Sequence, residues 1–87
     1  MPLERKESFI ARLQKNNRIQ LPVLIRWKYK LDPGEIFHVR VENSEWEYFY
    51  ARLSRDGRLT VPKIVIGKLG IKPGDIVEVV LLPENPD

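Results

Sequence analysis

FIARLQKNNRIQLPVLIRWKYKLDPGEIFHVRV, residues 9–41, reappears at residues 49–81 as FYARLSRDGRLTVPKIVIGKLGIKPGDIVEVVL, forty positions later and without a gap. Eleven of the 33 aligned positions are identical: Phe9/Phe49, Ala11/Ala51, Arg12/Arg52, Leu13/Leu53, Arg18/Arg58, Pro22/Pro62, Lys28/Lys68, Pro33/Pro73, Gly34/Gly74, Ile36/Ile76 and Val39/Val79. Most of the others are conservative, such as Ile19/Leu59, Leu21/Val61 and Glu35/Asp75. A repeat of this length is one supersecondary unit, too small to bury its apolar face alone. Two such units packed together predict one domain, spanning residues 1–87, with a pseudo-twofold axis. Duplex DNA has twofold axes as well, so the repeat is also a functional clue.

Each unit reads as strand, tight turn, strand, short helix, turn, strand. Phe9, Ala11 and Leu13 alternate with Ile10, Arg12 and Gln14, the period of a half-buried strand. Asn16-Asn17 and Asp56-Gly57 follow, residues that accept the positive φ of a two-residue hairpin turn. Arg18–Leu21 and Arg58–Val61 then return as strands. Pro22 and Pro62 end them, because proline has no N–H for a ladder but fits the first helical turn. The spacing predicts helices over 22–30 and 62–69, the second poor in helix formers (Ile64, Val65, Ile66, Gly67) and dependent on packing. Gly70 suits a left-handed helix stop, a place held by Lys30 in the first unit. Pro33-Gly34 and Pro73-Gly74 read as type II turns before the final strands, 36–41 and 76–82. Residues 43–47 read as a link between units, and 1–8 and 83–87 as tails. The expected fold is therefore mainly β with two short helices, a six-stranded pseudo-twofold barrel of two strand-strand-helix-strand repeats.

With 87 residues the chain has room for one modest core. It has no cysteine, hence no disulfide framework and no thiolate metal site. No apolar run approaches the ~18 residues of a membrane span, and no signal-peptide pattern stands at the start. A cytoplasmic protein held by packing is the expectation, and the abundance of Lys, Arg and Glu suits a thermophile. The net charge of +3 is unevenly spread. Residues 1–30 carry a balance of +6, residues 31–51 of −4 and residues 52–87 of +1. A basic first third favours a polyanionic partner.

Residues 57–81, GRLTVPKIVIGKLGIKPGDIVEVVL, resemble the core of the SpoVT/AbrB-like domain: a Gly-Arg hairpin exit, a strand closing on Val-Pro, a short helix, Leu-Gly-Ile, then Gly-Asp and an apolar strand. Residues 17–41 resemble it more loosely, with Asn17 for the Gly, Tyr29-Lys30 for Leu-Gly and Glu35 for Asp. The resemblance covers about residues 9–82 and implies an archaeal, single-chain counterpart of a domain that pairs as a dimer. It implies one of two barrels, a swapped-hairpin AbrB-type barrel or a RIFT-type cradle-loop barrel. The absence of a fourth strand in the second unit favours the RIFT form. Fold alone does not carry function.

The resemblance implies a DNA-binding transcriptional regulator or antitoxin-like protein, with double-stranded DNA as partner and a monomer as the working form. Carried over position by position, Arg12 and Arg52 are the first-strand basic residues, Arg18 and Arg58 follow the turn, and Arg26 and Lys28 are the helical basic residues. Guanidinium groups suit phosphate forks and guanine edges. In the second unit Ile66, next to Gly67, stands at the place of Arg26 and only Lys68 remains nearby, so one half of this face has lost charge. The alternative is a small barrel without DNA, binding a protein partner, its arginines serving as strand-edge charges. Trp46, Tyr48, Phe49 and Tyr50, with Trp27 and Tyr29, could stack on single-stranded bases, but are expected to serve as core and barrel caps, and Phe49, repeated as Phe9, points to core. Catalysis is not expected. His38 is the single histidine, Ser8, Ser44 and Ser54 have no evident base, and neither metal-ligand spacing nor a phosphate loop is present. No cofactor is implied.

Overall fold

The computed structural model describes Leu3 and residues 5–83. Six strands and two helices follow the chain as β1 (Glu7–Arg12), β2 (Arg18–Gln20), α1 (Val23–Tyr29), β3 (Ile36–Asn43), β4 (Glu45–Arg52), β5 (Arg58–Thr60), α2 (Lys63–Leu69) and β6 (Ile76–Leu82). A 3-10 turn at Lys15–Asn17 joins β1 to β2. The ladders form two sheets, a four-stranded one in the order β1-β6-β3-β4 and a two-stranded ribbon of β2 and β5. All pairings are antiparallel.

The registers obey the forty-residue offset. Phe9 lies opposite Val79, and Phe49 opposite Val39. Arg12 faces Ile76, and Arg52 faces Ile36. In each case the first strand of one unit pairs with the last strand of the other, so neither unit completes its own sheet. The pairs Ile19↔Leu59 and Arg40↔Val80 map onto themselves under the exchange and mark where the internal axis passes. The turns match as well. Leu13 N–H donates to the Asp75 carbonyl and Leu53 N–H to that of Glu35, each at 2.8 Å. These cross-unit bonds tie the entry of each hairpin to the Pro-Gly turn of the other half.

One core fills the space between the sheet and the ribbon. Val39, Val41, Val77, Val79 and Leu81 enter it from the sheet, Ile19 and Leu59 from the ribbon, and Tyr29 and Val65 from the helices. Strand alternation sends the intervening residues outward, as a sheet with one covered face requires. Most polar atoms stay at the surface, so the apolar contacts, individually small, carry the fold.

Several local readings change. Leu3 is buried and β1 begins at Glu7, so the described part of the N-terminal stretch is not a free tail. Met1, Pro2, Glu4 and residues 84–87 of the expected tails lie outside the described residues. The expected link at 43–47 is a tight hairpin: Asn43 pairs with Glu45, and only Ser44, at φ 66°, turns the chain. The hairpin loops hold three residues rather than two, because Gln14 N–H bonds the Arg18 carbonyl and Ser54 N–H that of Arg58. In the second loop Gly57, at φ 79°, takes the left-handed place after a turn whose Gly57 N–H returns to the Ser54 carbonyl. The prolines stand just ahead of the helices, their ψ of 136° and 148° still extended while their carbonyls accept the first helical N–H bonds. Both helices stop on a left-handed residue, Lys30 as well as Gly70. Among the described residues no helix is long and apolar enough to cross a membrane.

Candidate nucleic-acid interface

The ribbon places Arg18 and Arg58 on its outer side, because Ile19 and Leu59 between them are fully buried. The two arginines share one carboxylate. Asp56 Oδ1 lies 3.1 Å from Arg18 Nη2, and its Oδ2 lies 2.6 Å from Arg58 Nη1. The Ser54 hydroxyl donates to Asp56 Oδ1 and accepts from Arg18 Nη2 and from the Arg58 backbone N–H. The Ser54 hydrogen bond, followed by the charges of Arg18 and Arg58, holds the Asp56 carboxyl below its ordinary value.

Gln20 completes the frame. Its amide nitrogen donates to the carbonyls of Asp56 and Gly57 at 3.2 and 3.1 Å, and its oxygen accepts from Arg58 Nε at 3.2 Å. Arg26 reaches across from α1, and its guanidinium lies against the bare Cα of Gly57. Three guanidinium groups from three elements thus converge on the hairpin turn of the second unit, Arg18 and Arg58 on the Asp56 carboxylate and Arg26 on Gly57. The exposed Arg55 adds another cation to the same turn.

The cluster is one-sided. The counterparts of Asp56, Gly57, Gln20 and Arg26 are Asn16, Asn17, Thr60 and Ile66. The first unit's own turn therefore has no carboxylate and no glycine seat, while Ile66 packs toward the core.

The other three candidate residues lie elsewhere. Arg12 and Arg52 project from the sheet face turned away from the ribbon. They end antiparallel edge strands and so occupy diagonally opposite corners, where their Nη1 atoms donate to the carbonyls of Gly74 and Gly34 at 3.4 and 3.1 Å. Lys28 pairs with Glu7 at 3.0 Å, and the Tyr29 hydroxyl donates to the same carboxylate at 2.5 Å. The Tyr29 bond first, and that of Lys28 second, lower the Glu7 carboxyl below its ordinary value, and the Glu7 bond raises both Tyr29 and Lys28.

The outer sheet face departs most from expectation. Trp46, Tyr48 and Tyr50 alternate along β4 and all point outward, Tyr50 being 69% exposed. Trp27 on α1 is also exposed, so these four aromatics are not core, whereas Phe49 and Tyr29 are buried. Ile10, Ile36 and Ile76 share the outer sheet face. His38 stacks on Tyr50 with ring centroids 4.6 Å apart and leans on Tyr48 at 5.5 Å. A period-two pattern cannot tell which of two apolar sets lies inside when both faces carry large side chains. Among the described residues no group of three or more His, Asp or Glu side chains is placed to hold a metal ion.

Residues 50–85 match the model of the MazE antitoxin family, described as antidote-toxin recognition MazE, bacterial antitoxin. The matched segment runs from the end of β4 through the arginine-bearing hairpin and α2 to beyond β6. Among solved structures, the solution structure of PHS018 from Pyrococcus horikoshii superposes with a TM-score of 0.77 at 29% identity, covering 92% of this chain and 94% of that one. No curated protein matches the chain. The second half is thus MazE-like in sequence, and the chain as a whole shares its fold with the archaeal protein.

Proposed function

We propose that this chain is a DNA-binding regulator of the MazE/AbrB kind, working in the cytoplasm as a monomer, and that it meets the duplex through the ribbon side. The observation that carries this reading is the convergence of Arg18, Arg26 and Arg58 on the Asp56-Gly57 turn, within the segment that is MazE-like. Guanidinium forks held by a rigid hydrogen-bonded frame are suited to backbone phosphates, whose contacts fix register on a duplex. The internal axis passes between Arg18 and Arg58, so both reach one side of the ribbon. The role is binding rather than catalysis. We read the two units as tandem copies and the fold as the RIFT-type form of the barrel.

Titration of isotope-labelled protein with mixed-sequence duplex, at low and at physiological salt, tests it. Salt-sensitive amide shifts at residues 18–20, 26 and 54–58 support the reading. Shifts absent even at low salt overturn it.

A second reading rests on a different observation. Trp46, Tyr48, Tyr50 and the neighbouring isoleucines form an exposed apolar face on the side away from the arginine cluster, the kind of patch that marks a protein contact. An antitoxin-like chain that binds a protein partner would use it. Tyr50→Lys would then abolish partner binding and leave the duplex titration unchanged.

A further inference from the structure

The arginine cluster holds its own competitor. The Asp56 carboxylate presents two oxygens to Arg18 and Arg58, one to each, as a phosphate diester presents its two free oxygens. Its side chain is 48% exposed at the tip of a turn, so rotation about its own bonds can take the carboxylate away without disturbing the core. The frame stays behind when it leaves. Ser54 Oγ still caps the Arg58 N–H, and Gln20 still binds the Asp56 and Gly57 carbonyls and Arg58 Nε. Two guanidinium groups against one carboxylate, with Arg26 beside the neighbouring Gly57, leave the seat cationic even before it opens.

We propose that Asp56 is a resident counter-ion occupying a phosphate seat formed by Arg18 and Arg58, with Arg26 beside it, and that a nucleic-acid phosphate binds there by displacing it. This deepens the DNA-binding reading and rests on it for the identity of the ligand, though not for the existence of the seat. A direct consequence follows for salt. Displacing a bound carboxylate neutralises no additional cation, whereas filling an empty seat does, and each phosphate neutralised changes the salt slope by about −0.9.

The test compares the wild type with Asp56→Asn, Asp56→Asn/Arg58→Ala and Glu78→Gln. The last removes the same charge from the outer sheet face. Two probes are used, inorganic pyrophosphate and a mixed-sequence duplex, with the thermal midpoint of each variant as a fold check. Should Asp56→Asn unfold, Asp56→Ser replaces it, since serine keeps a turn-forming oxygen without charge. The expected result is binding of both probes about tenfold tighter in Asp56→Asn, a duplex salt slope steeper by about one, loss of the gain with Arg58→Ala, and a change below about twofold for Glu78→Gln. Pyrophosphate binding no tighter in Asp56→Asn than in wild type overturns the proposal. So does an equal gain in Glu78→Gln, which would make the effect one of net charge. Tighter pyrophosphate binding without any duplex binding keeps the seat and overturns the DNA reading instead.

Discussion

The Arg26 guanidinium lies so close over Gly57 that a β-carbon built there would sit 1.8 Å from Nη1 and 3.0 Å from Cζ. Arg26 comes from the helix of the first unit and Gly57 from the hairpin of the second, so this contact joins the halves at the candidate interface. Gly57→Ala has two separable effects. The residue sits at φ 79°, where a side chain costs about 1 kcal/mol. The added methyl also displaces the Arg26 head. Urea unfolding should show a loss of about 1–2 kcal/mol, and amide shifts should spread along α1. A stability loss with no change near Arg26 would mean that the guanidinium does not rest there in solution.

The Glu7 cluster gives a pH dependence of definite sign. Tyr29 and Lys28 hold the Glu7 carboxyl below its unfolded value. A carboxyl lowered on folding contributes stability above its unfolded pKa, and that contribution is lost as pH falls through the folded value. Thermal midpoints should therefore drop below about pH 4.5 more steeply in the wild type than in Tyr29→Phe. Tyr29→Phe also removes one hydrogen bond to a charged group, so its thermal midpoint at neutral pH should lie below that of the wild type. Tyr29 itself is raised, so its share is complete below its unfolded pKa near 10 and fades at higher pH. Parallel acid limbs in the two proteins would show that Glu7 is not engaged by Tyr29.

How much of this was legible in the chain depended on range. The Pro-Gly turns, the proline-led helices and the strand alternation around Phe9 and Phe49 are local, and each was set by residues within a few positions. Glu7 has the sequence signature of a tail because its partners, Lys28 and Tyr29, lie more than twenty positions away. The repeat of Phe9 at Phe49 marks Phe49 as core, as it is, but Trp46, Tyr48 and Tyr50 have no aromatic counterpart in the first unit, and their outward side follows only from the pairing with β3. The six candidate cations separated because strand parity sent Arg12 and Arg52 to the sheet face, while the ribbon's own parity sent Arg18 and Arg58 the other way. Arg26 joins the latter pair through Gly57, a residue whose local signature is turn geometry and not the space it leaves.

Gly67 is the reverse of Gly57. It lies inside α2 at a φ compatible with any residue, is exposed, and a β-carbon there meets nothing within 4 Å. Glycine in a helix interior costs about 0.5–1 kcal/mol relative to alanine. Gly67→Ala should stabilise by that amount in urea unfolding and leave duplex or pyrophosphate binding unchanged. A destabilised Gly67→Ala would indicate that the seven-residue helix needs the freedom of its glycine, for example to seat Val65 in the core.

The two helix stops offer a matched pair. Lys30 and Gly70 hold equivalent places, at φ 54° and φ 64°, and both close their helices with N–H bonds to carbonyls of the last turn. The hydrogen bonding is alike, so the difference between the caps is the β-carbon of Lys30 in a left-handed conformation. That conformation costs a β-carbon-bearing residue about 1–2 kcal/mol, part of which a glycine returns through its more disordered unfolded chain. Lys30→Gly should therefore stabilise by about 0.5–1 kcal/mol, and Gly70→Ala should destabilise by about 1 kcal/mol. Lys30 lies outside the arginine cluster, so its removal should change duplex affinity only through net charge. If Lys30→Gly is neutral or destabilising, the lysine side chain makes a compensating contact, and Lys30→Ala, which keeps the β-carbon and removes the rest, would then be the less stable of the two.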